Sequence, residues 1–357
     1  MAKMMNLGVI FGGQSSEHEV SRISAEAIIK NISKDKYNLY LIGITKKGQW
    51  FLFSGDVADI PSGNWEKNSL NRQAFISPDA SVGGLTVFGD GKVETIKLDA
   101  VIPVLHGKNG EDGTVQGLLE LAEIPIVGCD TTSSAACMDK TITNSMLSYN
   151  KINKPLFHWF YTYDFKKDPE KCLNEIEKVI SSYPMFVKPA NAGSSVGVSK
   201  ANNKKELIEG IEIAAKEDRK ILIEQGIIGQ EVECSVLGND ELIASVVGEI
   251  VPSSEFYDYE AKYLSGSSDL FIPARIPENV AEEVRETALS AYKIMGCTGL
   301  ARVDFFVEEG TNKVFLNEIN TFPGFTSISM YPKLLNESGI GFTELIDRLI
   351  NLAINKK

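Results

Sequence analysis

The stretch 302–320, RVDFFVEEGTNKVFLNEIN, places an arginine, two carboxylates and a carboxamide where one sheet face would gather them. The segments 302–307 and 313–319 are rich in Val, Phe, Ile and Leu. They flank the turn-forming residues 308–312, which include Gly310, and this pattern predicts a β-hairpin. Side chains two apart on a strand share a face, so Glu318 and Asn320 point the same way. Folding about Gly310 sets Asp304 across from Leu316 or Glu318. Two carboxylates that close repel unless a cation bridges them, and hard oxygen donors with no His or Cys nearby suit Mg²⁺ carrying a phosphate. The alternative is a solvated hairpin face. Arg302, together with the T-F-P-G-F-T that follows, favours the first reading, because the Pro323–Gly324 turn leaves backbone N–H groups for an anion.

The other chemistry-bearing segments are loops between strands. Residues 6–11 read as a buried parallel strand, 12–19 (GGQSSEHE) as a loop and 20–32 as a helix with Ser21 near its start. Glu17 and Glu19 either complement the helix dipole or face a cleft and hold an ammonium. The G-x-G-x-x-G spacing of a dinucleotide site is missing. Residues 37–100 contribute strand-like pieces without evident chemistry. Residues 100–105 form a further strand, followed by the glycine-rich loop 106–113 and a helix over 114–122. His106 ends that strand. Ligands of open α/β sheets bind at strand C-termini, so His106, Asn109, Glu111 and Asp112 read as site-lining, the alternative being a solvated loop.

Composition changes after Gly128, where a domain boundary is expected and a Ser/Thr/Ala-rich helix should carry Asp139 and Lys140. PMFVKPANAGSSVGVSK (184–200) reads as a strand ending in Lys188, a small-residue loop and a second, antiparallel strand. Ser194, Ser195 and the loop N–H groups can cover phosphate oxygens, although the Walker order is missing; the alternative is a plain hairpin tip. After a helix over 204–216, one strand ends at Glu224 and Glu231 opens the next. This connector suits an adenine edge through its backbone and a ribose through Glu231, the alternative being surface glutamates on a loop. The aromatic and charged run 255–268, with Lys262 beside Tyr263, reads as a lid over the site, the alternative being that its aromatic residues simply pack.

A chain of 357 residues is too long for one small core and implies two or three domains. Its net charge of −12 argues against general nucleic-acid or anionic-membrane binding while allowing local basic pockets. The five cysteines contain no CxxC pair and are odd in number, as expected of reduced structural thiols. No signal peptide and no apolar span of membrane length is evident, and the protein is expected in the cytoplasm.

The ordered set GGQSSEHEVS, HGKNGEDGTVQG, MDK, VKPANAGSSVG, LIEQGIIGQE, DYEAKY, ARVDFF and NEINTFPGFTSIS resembles the D-alanine:D-alanine ligases of the ATP-grasp superfamily, from Gly12 to Met330. The resemblance implies an α/β and α+β, three-domain ATP-grasp fold: an N-terminal parallel-sheet domain (1–128), a central subdomain (129–224) and a C-terminal subdomain with metal site and lid (225–357). It implies ATP and Mg²⁺, two ions, with Mn²⁺ as a substitute, and the ligation of two D-alanines through an acyl phosphate for peptidoglycan synthesis. D-serine is the alternative second substrate. Small molecules are the expected partners, with a homodimer as the expected assembly.

By the same resemblance Asp304, Glu318 and Asn320 hold the metal. Lys140, Lys188, Lys262, Ser194 and Ser195 hold phosphates, Glu231 the ribose, and the backbone near Glu224 the adenine. Glu17 takes the first substrate's ammonium and is linked through Ser194 to Tyr263, with His106 beside that substrate. Arg302 and the Gly324 N–H serve the reacting carboxyl, and Ser329 and Met330 the second carboxylate.

Overall fold

The computed structural model describes residues 4–89, 91–251 and 269–356. Three sheets organise them. The first has the order β6-β5-β4-β3-β2-β1-β7, built from β1 (Met5–Gly12), β2 (Tyr37–Ile44), β3 (Trp50–Phe53), β4 (Arg72–Ile76), β5 (Gly84–Gly89), β6 (Lys92–Lys97) and β7 (Ala100–Val104). Only β2, β1 and β7 run parallel; the remaining pairs are antiparallel. The expected parallel sheet is thus confined to one end of a mixed sheet. The sequence accounts for this: β7 is buried throughout and β1 in all but its first two residues, as apolar runs covered on both faces must be, while β6 (KVETIK) is almost wholly exposed at the edge.

The second sheet has the order β10-β9-β11-β8, from β8 (Phe157–Tyr161), β9 (Met185–Pro189), β10 (Ser199–Ala201) and β11 (Lys220–Gln225). The third has the order β14-β13-β12-β15-β16, from β12 (Gly229–Gly238), β13 (Ile243–Val251), β14 (Asp269–Phe271), β15 (Gly299–Glu308) and β16 (Val314–Asn320). Both are antiparallel. The hairpin β15–β16 pairs Asp304 with Glu318 and Arg302 with Asn320, so the opposing residue is Glu318, not Leu316. Asp304 and Phe305 face Glu318 and Leu316, leaving Asn317 as the extra residue of a bulge.

The C-terminal helix Phe342–Ile354 buries Leu345, Ile346, Leu349, Ile350 and Ala353, an apolar stripe at helical spacing. It shares one core with Val9, Phe11 and Ile28 of the N-terminal unit and with Phe322, Phe325 and Tyr331 beyond β16. Fully burying each Leu or Ile is worth about 1.5–3 kcal/mol. This core docks the T-F-P-G-F turn against the N-terminal sheet.

One local expectation changes. The helix expected across Asp139 is two helices, Thr131–Met138 and Lys140–Tyr149, because the Asp139 carboxylate accepts from Thr141 N and Ile142 N and caps the second. Ser21 lies within helix His18–Asn31, where its Oγ accepts from Gly12 N–H and donates to the Val104 carbonyl, tying the helix to β1 and β7.

Candidate active site

A cavity of about 600 Å³ opens among the three sheets. It is lined by Glu17, His106, Lys140, Lys188, Ser194, Ser195, Glu224, Glu231, Arg302, Glu318, Asn320, Gly324, Ser329 and Met330. Asp304 lines a small cleft that continues from it past Glu231, Glu233, Arg302 and Glu318. Most of the described residues expected to do chemistry therefore border this space, whereas Glu19, Asn109 and Asp112 do not line it. Lys262 and Tyr263 lie outside the described residues.

At one end of the cavity Glu17 stands at the N-terminus of helix His18–Asn31 without capping it, and is 4% exposed. The Ser194 Oγ donates to its carboxylate at 2.5 Å. Gly107 and Gly193 pack on the same carboxylate; a Cβ would come within 2.3 Å of Glu17 Oε2 at the first and 2.7 Å at the second. Glu19, by contrast, pairs with Lys46 at the surface, so of the two acids only Glu17 faces the cavity. The loop 106–113 also divides. His106 and Glu111 line the cavity, whereas Asp112 accepts from Asn109 N and Thr114 N and shapes the loop. Glu111 accepts from Gly107 N, but burial and then the Glu17 charge push its carboxyl up to about 8. Burial lowers His106 to about 4, so the imidazole is neutral near pH 7.

The loop between β9 and β10 holds Ser194 and Ser195 at φ 49° and 60°, a left-handed conformation unfavourable for residues with a Cβ. Lys140 Nζ donates to the Ala192 carbonyl of this loop at 2.7 Å. Lys188 Nζ lies 2.6 Å from Glu224, which also accepts from Asn144 Nδ2. Burial works against both charges, yet the pairing wins: Lys188 is raised and Glu224 lowered from their ordinary values. Met138, Pro155, Phe186, Ile227 and Ile228 make this end of the cavity apolar, a surface suited to a flat base.

In the hairpin, Arg302 donates through Nε and Nη2 to the two Asp304 oxygens at 2.7 Å each, and its Nε lies 3.0 Å from Glu233. Asn320 Nδ2 lies 2.9 Å from Asp304 Oδ2. Among the described residues no three His, Cys, Asp or Glu side chains form a metal-holding group. A divalent ion here would rest on two carboxylates, the Asn320 carboxamide and oxygens of the ligand. That all-oxygen set fits Mg²⁺, which takes few protein ligands. Downstream, Ser329 precedes helix Met330–Glu337, and its Oγ accepts from Thr326 N. The N–H groups opening that helix suit a carboxylate.

Several site residues escaped the sequence reading. Glu233 lies two residues from Glu231 on one strand, and Asn144 lies four from Lys140 on one helix; strand and helix periodicity carried both signals. Lys154, buried and donating to the Asn317 carbonyl, had no local signal.

The arrangement coincides with family-level similarity over most of the chain. A model described as D-ala D-ala ligase N-terminus matches residues 6–129, and one described as D-ala D-ala ligase C-terminus matches residues 146–351. The chain belongs to the D-alanine–D-alanine ligase family. It is 51% identical over 352 residues to the D-alanine--D-alanine ligase of Caldicellulosiruptor bescii, covering 99% of this chain and 96% of that relative. It is 51% identical over 360 residues to that of Acetivibrio thermocellus, covering 98% and 95%. Among solved structures it resembles the VanG D-Ala:D-Ser ligase from Enterococcus faecalis, with a TM-score of 0.90, 43% identity and coverage of 98% and 100%. It also resembles the D-alanine-D-alanine ligase from Coxiella burnetii, with a TM-score of 0.84, 34% identity and coverage of 99% and 96%. The family's three-unit ATP-grasp architecture accounts for the three sheets around one cavity.

Proposed function

We propose that this chain joins two D-alanine molecules into D-alanyl-D-alanine, converting ATP to ADP and phosphate, as a step toward peptidoglycan precursors. The observation that carries the reading is the Ser194–Glu17 bond, which brings an ammonium-binding carboxylate and a phosphate-covering loop together beside Arg302 and Glu318. Units 1–128, 129–224 and 225–357 are the proposed domains, and the cytoplasm the proposed compartment.

A carboxylate is a poor acyl donor, so the first D-alanine is phosphorylated by ATP. Its ammonium sits on Glu17, with His106 alongside, and its carboxylate faces Arg302. Lys140, Lys188 and the loop at Ser194 and Ser195 hold the phosphates in line; Glu231 takes the ribose and the backbone near Glu224 the adenine. Mg²⁺ held by Asp304, Glu318 and Asn320 would supply positive charge that neutralises the transferring phosphoryl group. The second D-alanine, its carboxylate at Ser329 and Met330, attacks the acyl phosphate through its amine. Arg302 and the Gly324 N–H stabilise the oxyanion, and one such donor is typically worth ~3 kcal/mol. Loss of phosphate completes the amide. Lys262 is the proposed further phosphate contact, and Tyr263 the proposed continuation of the Glu17–Ser194 bond.

The test is phosphate release from ATP with Mg²⁺ and either D-alanine or L-alanine. Release only with D-alanine, accompanied by dipeptide, supports the reading; equal release with both sinks it. A second reading, D-serine as acceptor, is favoured by the likeness to the VanG D-Ala:D-Ser ligase. Mass analysis of products from D-alanine with competing D-serine decides between them.

A further inference from the structure

Ser24 belongs to none of the motifs to which a role has been given, yet its hydroxyl sits where three segments of the active site meet. It lies on helix His18–Asn31 and is completely buried. Its Oγ accepts the Phe325 N–H at 3.3 Å and lies 3.2 Å from His106 Nε2. A serine hydroxyl has two acceptor lone pairs and one proton, so with the Phe325 N–H on one lone pair it still has its proton to give to an unprotonated imidazole nitrogen. A neutral imidazole has one nitrogen to accept it. Burial and the Arg302 charge both favour the neutral ring, which packs tilted against the Phe322 ring with centroids 6.1 Å apart. With the neutral ring carrying its proton on Nδ1, the Phe325 N–H donates to Ser24 and the Ser24 O–H donates to His106 Nε2.

Ser24 bonds the turn at Phe325 and His106 packs on Phe322, so the two contacts fall on either side of Pro323 and Gly324. Apolar packing holds the turn in place, with Phe322 and Phe325 buried in the core shared with the C-terminal helix. Packing is non-directional, however, and the aim of an N–H requires directional bonds. We infer that Ser24 is a positioning residue for acyl transfer, its hydroxyl joining His106 to the Phe322–Phe325 turn and so setting the direction of the Gly324 N–H. This rests on the reading of the Gly324 N–H as an oxyanion donor.

The experiment pairs steady-state kinetics with ¹⁵N NMR of the histidine side chains in the full chain. Ser24→Ala is expected to lower kcat for dipeptide formation roughly tenfold, less than the ~10²-fold that outright loss of an oxyanion donor costs. KM for ATP should stay within about twofold, and Ser24→Thr, which keeps the hydroxyl, should recover at least half the loss. In the wild type, His106 Nε2 should be unprotonated, and its signal should move in Ser24→Ala. An active enzyme whose Ser24→Ala variant keeps full kcat overturns the inference, as does a protonated Nε2 or a kcat loss that Ser24→Thr does not recover. Should Ser24→Ala not fold, Ser24→Cys, with its weaker donor, is read by the same criteria. Failure of the underlying functional reading is distinct: the wild type itself would form no dipeptide.

Discussion

Ser194 donates to the Glu17 carboxylate across 2.5 Å of space and 177 residues of sequence. The bond ties the first helix of the chain to the loop between β9 and β10, so the group expected to bind the amino acid and the group expected to cover phosphate move as one. Removing it by Ser194→Ala should lower kcat/KM for D-alanine by roughly 10- to 100-fold, the worth of a hydrogen bond to a charged group. Gly193→Ala should be at least as damaging, because its methyl would sit 2.7 Å from Glu17 Oε2. Steady-state kinetics with D-alanine varied at saturating ATP checks both.

The Lys188–Glu224 pair predicts a stability effect separable from catalysis. Their side chains are 16% and 6% exposed and their charged atoms 2.6 Å apart. Lys188→Met leaves a carboxylate without its main counter-charge and should cost about 3–5 kcal/mol. Lys188→Met with Glu224→Met should recover much of that, although neither variant should turn over ATP well. Urea denaturation of the single and double variants makes the comparison.

Glu318→Gln should retain nucleotide binding yet lose at least ~10²-fold in turnover, since the carboxylate paired with Asp304 is the one expected to face Mg²⁺. Equilibrium binding of an ATP analogue alongside phosphate release separates the two effects. Full activity would exclude the hairpin as the metal site.

Glu111 predicts a pH dependence. Burial and Glu17 raise its folded pKa to about 8 from an ordinary 4.5. Between those values the unfolded chain has lost this proton and the folded chain retains it, so its contribution to stability falls as pH rises from about 4.5 to about 8 and is level above that. Glu111→Gln removes the titration. The variant's advantage over wild type in thermal midpoint should therefore grow from pH 5 to pH 8, reaching a few kcal/mol in stability. A constant difference across that range would contradict the assignment.

Much of the candidate site was legible because its parts are local. Strand parity placed Glu318 and Asn320 on one face, and a hairpin about Gly310 brought Asp304 opposite them. The loop after β9 and the turn at Pro323–Gly324 were readable from glycine and proline chemistry. Errors arose where one side chain outweighed a periodic pattern. Asp139 capped a new helix inside an expected single one. The expected parallel strands β2, β1 and β7 are present, and the short edge strands beside them join antiparallel because tight turns need no crossover helices.

The sequence by itself determined which chemistries this chain carries, since carboxylate spacing, phosphate-loop composition and turn residues act over a few positions. The tertiary structure alone decided which groups complete one another. Glu17 with Ser194, Asn144 with Glu224 and Ser24 with both His106 and Phe325 are distant in the chain and meet only when separate elements dock, while Glu233 reaches Arg302 because β12 pairs with β15. The physical reason is that periodicity tells which face a side chain takes, whereas its partner across a cavity depends on how buried apolar surfaces dock, and no local pattern encodes that docking.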